Sequence, residues 1–90
     1  MVSTPRHPGQ ILSEDYLIPL GMSHYDAAKR LYAAEATIDR LVAGEEKITW
    51  NLSKRLASIF DQNQSFWLEA QRAWDRYQAE AQASEAEQTH

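Results

Sequence analysis

Glu35, Thr37, Asp39 and Arg40 place two carboxylates, a hydroxyl and a guanidinium within six residues. An arginine fork can donate two parallel hydrogen bonds to guanine O6 and N7, and a threonine can meet a thymine methyl or a phosphate. The carboxylates can accept from the N4 amino group of cytosine, but they also repel the phosphates of a polyanion. The set therefore holds both the means of reading base edges and an obstacle to approaching them. Arg40 beside Asp39, and Lys47 for Glu35, offer partial compensation. Lys29, Arg30, Lys47, Lys54 and Arg55 are the candidate phosphate contacts, each weighed against the plainer role of a solvated surface charge.

No comparable set supports catalysis or metal binding. His7, His24 and His90 fall in separate places without ligand spacing and read as surface residues. There is no glycine-flanked serine elbow, no phosphate loop and no His-Glu-x-x-His pattern. Cysteine is absent, which removes a disulfide frame and a thiolate metal site. The adjacent acids Glu14-Asp15 and Glu45-Glu46 read as solvated pairs pointing in different directions. The expectation is a protein that is no enzyme and carries neither metal nor cofactor.

The elements that must position the 35–40 set are helical. His7-Pro8-Gly9 suits a helix entry, since an early proline loses no needed hydrogen bond. Ile11, Leu12, Tyr16 and Leu17 continue that first helix, and Pro19 with Gly21 end it. Ser23 followed by Asp26 forms a capping box for a second helix with Ala27, Ala28 and Leu31 inward. A third helix spans about 35–42, with Ile38 and Leu41 inward and Gly44 as its stop. Residues 45–48 form a loop. Thr49 caps a fourth helix with Leu52, Leu56, Ile59 and Phe60 inward, and Trp50 behind the cap reads as local packing. After a polar loop at 61–64, Ser65 caps a long fifth helix.

The second and third helices are joined by a tight turn, with small Ala28 where they cross. Ala27, Leu31, Ala33, Ile38 and Leu41 supply the apolar offsets of a helix-turn-helix. The turn position held by Tyr32 usually carries glycine because its backbone favours positive φ; either tyrosine adopts that conformation at a cost of about 1 kcal/mol, or the turn differs slightly. No strand alternation or hairpin turn occurs, so the expected class is all-α with five helices.

Ninety residues make one domain with a modest core. The formal net charge is −4, and its placement is uneven. Residues 1–60 balance seven basic against seven acidic residues, whereas residues 61–90 hold two basic and six acidic ones. No apolar run approaches the ~20 residues that span a bilayer, and the N-terminal stretch lacks a secretory apolar region. A cytoplasmic protein without membrane association is expected. The composition from Glu80 onward divides the chain into a domain at 1–78 and a frayed acidic tail at 79–90.

Around the helix-turn-helix lie more specific segments: His-Pro-Gly-Gln-Ile-Leu at 7–12, Leu-Ile-Pro-Leu-Gly at 17–21, Lys-Ile-Thr at 47–49, Arg-Leu-Ala at 55–57 and Phe-Trp-Leu-Glu-Ala-Gln at 66–71. Over roughly residues 7 to 77 the chain resembles the HigA family of antitoxins, also called VapI-like plasmid-maintenance antidote proteins, with an XRE-type helix-turn-helix. It departs from the family pattern at Gln10, Tyr32, Asp61, Glu69 and Ala70. The resemblance implies a lambda-repressor-like domain with a long C-terminal helix. It further implies a homodimer that binds operator DNA, represses its own operon and neutralises a RelE/HigB-like mRNA endonuclease. Such a toxin is expected to be basic, and the acidic residues of 61–90 would attract it.

The aromatic stripe of the fifth helix divides accordingly. Phe66 and Ala70 are expected in the core, Trp74 and Tyr77 at a dimer seam, and Trp67 at either place. Two other readings share the fold: a stand-alone XRE-type regulator, and an interaction module that has lost DNA binding through Glu35 and Asp39.

Overall fold

The computed structural model describes residues 4–88. All regular structure among them is helical, in five successive helices. The first, α1, opens with an α-helical turn at Pro8–Ile11, passes through a π-helical stretch at Leu12–Leu17 and closes with Ile18–Leu20. The others are α2 (His24–Leu31), α3 (Glu35–Val42), α4 (Trp50–Phe60) and α5 (Phe66–Gln88).

The π-helical stretch is compatible with the apolar spacing of the sequence. Ile11 and Tyr16, and Leu12 and Leu17, are apolar pairs five residues apart. A π-helix bonds i→i+5 and so brings such pairs towards one side. Leu12 and Leu17 are both buried, and Ile11 and Tyr16 pack on the same core.

His7 corrects the expectation of a surface histidine. It is the N-cap of α1, and its Nδ1 accepts the Gly9 N–H at 2.9 Å. The ring is buried, with its edge against Trp74 at 5.5 Å between centroids. Gly9 is set by close approach, because a Cβ there would lie 1.6 Å from the carbonyl oxygen of Leu41. Glu14 and Asp15 are not merely solvated: both turn to Arg6, at 3.3 Å and 2.8 Å.

The core gathers Leu12, Leu17, Leu31, Ile38, Leu41, Ile48, Leu56 and Trp67 around Ala27 and Ala28. Trp67 is wholly buried in its own chain, which removes it from the expected dimer seam. Its indole N–H donates to Gln62 Oε1 at 2.6 Å, and Gln62 in turn donates to the Tyr16 hydroxyl. Burying so large a ring requires this partner, since an unpaired indole N–H would offset part of the gain. Phe66 departs in the other direction: 38% of its surface is exposed, with its ring edge on Trp67.

Four helices end in the same way. Gly21, Tyr32, Gly44 and Asp61 adopt positive φ of 63°, 54°, 80° and 55°. In each case the following N–H reaches back to a carbonyl five residues earlier: Met22 to Leu17, Ala33 to Ala28, Glu45 to Arg40 and Gln62 to Ala57. These are Schellman ends, which satisfy carbonyls left over by the last turn. Tyr32 thus takes the strained conformation that its place in the turn favours.

The start of α5 differs from a simple serine cap. The Ser65 carbonyl accepts from Glu69 N–H, but the Leu68 N–H is taken by Ser53 Oγ of α4 at 3.2 Å. The wholly buried Ser53 hydroxyl also donates to the Gln64 carbonyl at 2.6 Å. At its other end α5 continues as helix through residue 88, past the boundary expected at 78. Alanine, glutamate and glutamine are good helix formers, which favours helix over residues 79–83, where no side chain is buried.

Candidate nucleic-acid interface

Ser23 starts α2 as expected, with its hydroxyl accepting the Asp26 N–H at 3.0 Å. Ala27, Ala28 and Leu31 bury one side of α2, and Ile38 and Leu41 bury one side of α3. This packing leaves Glu35, Ala36, Asp39 and Arg40 exposed on α3, with Thr37 half-buried. A short helix held against another by its apolar stripe, with polar side chains outward, is the arrangement that enters a major groove.

The charged partners are not those the sequence suggested. Asp39 Oδ1 lies 2.6 Å from His24 Nδ1, at the first turn of α2. Arg40 Nε donates to Glu46 Oε2 at 2.9 Å, across the end of α3. One acid of the exposed row is therefore satisfied by the neighbouring helix rather than by Arg40. Glu46, expected as a solvated charge, holds the arginine instead.

Glu46 reaches Arg40 because the chain turns back sharply after α3. Gly44, at φ 80°, lets Glu45 N–H bond to the Arg40 carbonyl at 2.8 Å. Three residues on, the Ile48 N–H donates to the buried Gln71 Oε1 of α5 at 3.0 Å. Gln71 also donates through Nε2 to Asp75 at 3.0 Å, which fixes its amide orientation. The loop that carries Glu46 and Lys47 is thus pinned at both ends.

The five expected phosphate contacts are dispersed. Lys29 and Arg30 line an open cleft of about 350 Å³ with Leu20, Gly21, Met22 and Asp26. Lys29 Nζ also lies over the Tyr25 ring, and Lys54 Nζ over the half-exposed Trp50 ring. Trp50 is therefore a surface aromatic rather than packed filler. Arg55 has a structural task, donating to the Leu31 carbonyl at 3.1 Å while its guanidinium stacks over Tyr32. A cation at the end of α2 complements its unpaired carbonyls. Lys47 is exposed on the pinned loop.

Sequence reasoning missed His24, Glu46 and Gln71. The first two are ordinary polar residues until the helices cross. Gln71 does carry a signal, because it closes the Phe-Trp-Leu-Glu-Ala-Gln segment. Among the described residues no group of three His, Asp or Glu converges on a metal-sized site. No described helix is long and apolar enough to cross a membrane.

No family model matches the chain. It is 38% identical over 74 residues to virulence-associated protein I of Dichelobacter nodosus, covering 82% of this chain and 68% of that one. A Pseudomonas aeruginosa protein solved in complex with its operator DNA superposes with a TM-score of 0.86 at 26% identity, over 93% of this chain and 88% of that one. An addiction-module antidote protein of the HigA family from Coxiella burnetii superposes with a TM-score of 0.83 at 30% identity, over 98% and 97% of the two chains. The helical order, the crossing at Ala28 and these likenesses agree: the chain belongs to the HigA and VapI-like family of helix-turn-helix antitoxins and regulators, which are not enzymes.

Proposed function

We propose that this chain is an operator-binding antitoxin that acts as a homodimer. In this reading α3 lies in the major groove, with Arg40 and Thr37 towards base edges and Lys47 on a flanking phosphate. Glu35 remains the acid that the groove must accommodate. The observation that carries the proposal is the outward row of α3, in which Asp39 is hydrogen-bonded to His24 of the neighbouring helix while Thr37 and Arg40 remain on the same helix. The relative solved on its operator supports the same use of the fold.

Under this proposal the partner is a basic RelE/HigB-like toxin encoded beside the antitoxin, and the exposed Tyr77 with the half-buried Trp74 form part of the dimer seam. A gel shift with the chain's own promoter tests the DNA arm. A shift is expected at ~50 mM salt, weakening steeply as salt rises, because phosphate neutralisation releases counterions. No shift at ~50 mM salt refutes operator binding. Co-expression with the neighbouring toxin gene tests the other arm: restored growth and a co-purifying complex are expected. A promoter shift without either result would identify a stand-alone regulator.

A further inference from the structure

We propose that Glu46 is the positioning residue for Arg40, holding the guanidinium by Nε so that its Nη end is presented to a guanine edge. This rests on the reading of α3 as the groove-facing helix. The argument begins with which hydrogens remain. A guanidinium carries five N–H donors in a planar fork, and Glu46 engages the one on Nε. The four on the two Nη nitrogens lie at the far end of the plane. That end matches the O6 and N7 acceptors that guanine shows in the major groove.

The carboxylate is itself held in place. It sits between two anchored neighbours, with Glu45 N–H on the Arg40 carbonyl and Ile48 N–H on the buried Gln71. Arg40 and Glu46 side chains are 50% and 36% exposed, so the pair contributes little to folding. Its effect lies in orientation: a long side chain that would sample many rotamers is restricted before any DNA arrives. Pairing also offsets the repulsion that an unpaired Glu46 would exert on a nearby phosphate.

The opposite role makes a different prediction. If Glu46 merely sequestered Arg40, its removal would tighten binding to every sequence. The experiment selects duplexes from a randomised library with the intact wild-type chain. It then measures affinities of wild type, Glu46→Ala, Glu46→Gln and Arg40→Ala for the selected duplex and for variants at each base pair. Arg40→Ala is expected to erase the guanine preference at one base pair. Glu46→Ala should reduce that same preference by about tenfold, with other positions and the melting temperature unchanged. Glu46→Gln, whose amide oxygen still accepts from Nε, should restore most of it. A guanine preference unaltered in Glu46→Ala, or a uniform gain on all duplexes, overturns the positioning role. Wild type that selects no duplex at ~50 mM salt, or Arg40→Ala that loses no base preference, overturns the groove reading itself.

Discussion

Gly9 and His7, two residues apart in sequence, limit what the start of the domain tolerates. At Gly9 the obstacle is backbone, the Leu41 carbonyl, which no side-chain rotation relieves. Gly9→Ala must push α1 away from the end of α3, and it is expected to cost about 3 kcal/mol or more, measured by urea denaturation. His7 sets a pH dependence. Burial holds its imidazole below the ordinary value, with the Asp75 charge opposing this only in part. Its Nδ1 must also stay unprotonated to accept from Gly9 N–H. The unfolded chain therefore takes up the proton more readily, so this contribution is full above about pH 6.5 and is lost as pH falls from there through the lower folded value. Urea midpoints should drop over that range in wild type, and less in His7→Asn, whose amide oxygen can accept the same N–H without titrating. Asp15, held below its ordinary value by the Arg6 hydrogen bond, gives a separate loss at more acid pH.

At the scale of elements, the site depends on a helix outside the helix-turn-helix. Gln71 of α5 satisfies the buried Ile48 N–H and so fixes the loop between α3 and α4. Gln71→Ala leaves that donor unpaired and should cost about 1–3 kcal/mol of stability by thermal melting. It should also weaken the selected-duplex affinity, since Lys47 and Glu46 ride on the freed loop. This dependence explains what could be read in the sequence. The Ser23 and Thr49 caps, the Gly21 and Gly44 stops and the inward faces of α2, α3 and α4 are local patterns, and all were legible. Positive φ at Tyr32 was one of two readings the turn allowed, and the structure adopts it. His24 with Asp39, Ile48 with Gln71 and Ser53 with Leu68 join residues 15 to 23 positions apart. Helix crossing alone brings them together, and no periodicity encodes it. The buried His7 was misjudged because histidine is polar, although its place before Pro8-Gly9 marked a cap. Phe66 was misjudged, because the wholly buried Trp67 beside it takes the inward direction and leaves Phe66 38% exposed. The sequence leaves Trp67 open between core and seam, and burial decides it.

The whole molecule is elongated, 49 × 25 × 23 Å, because α5 outruns the domain it packs on. Its 23 residues span about 34 Å, and from residue 78 through 83 it buries no side chain. Trp67 anchors the near end, Trp74 leans on His7, and Tyr77 is 36% exposed beside Trp74. Under the dimer proposal Tyr77→Glu should weaken self-association by about 2 kcal/mol, read as a monomer shift in sedimentation equilibrium. A Tyr77→Glu chain that sediments like wild type would place the seam elsewhere.

Ser53 has one more consequence, for how the chain opens. An amide bonded within its own helix is released whenever that helix frays. The Leu68 amide is instead held by a hydroxyl on α4, which is itself tied to the Gln64 carbonyl. It stays bonded until α4 and α5 part, so its exchange with solvent deuterium reports the separation of two helices. In a chain this small that separation also exposes Trp67. Slow exchange at Leu68 and quenching of the buried indole should therefore share one opening free energy.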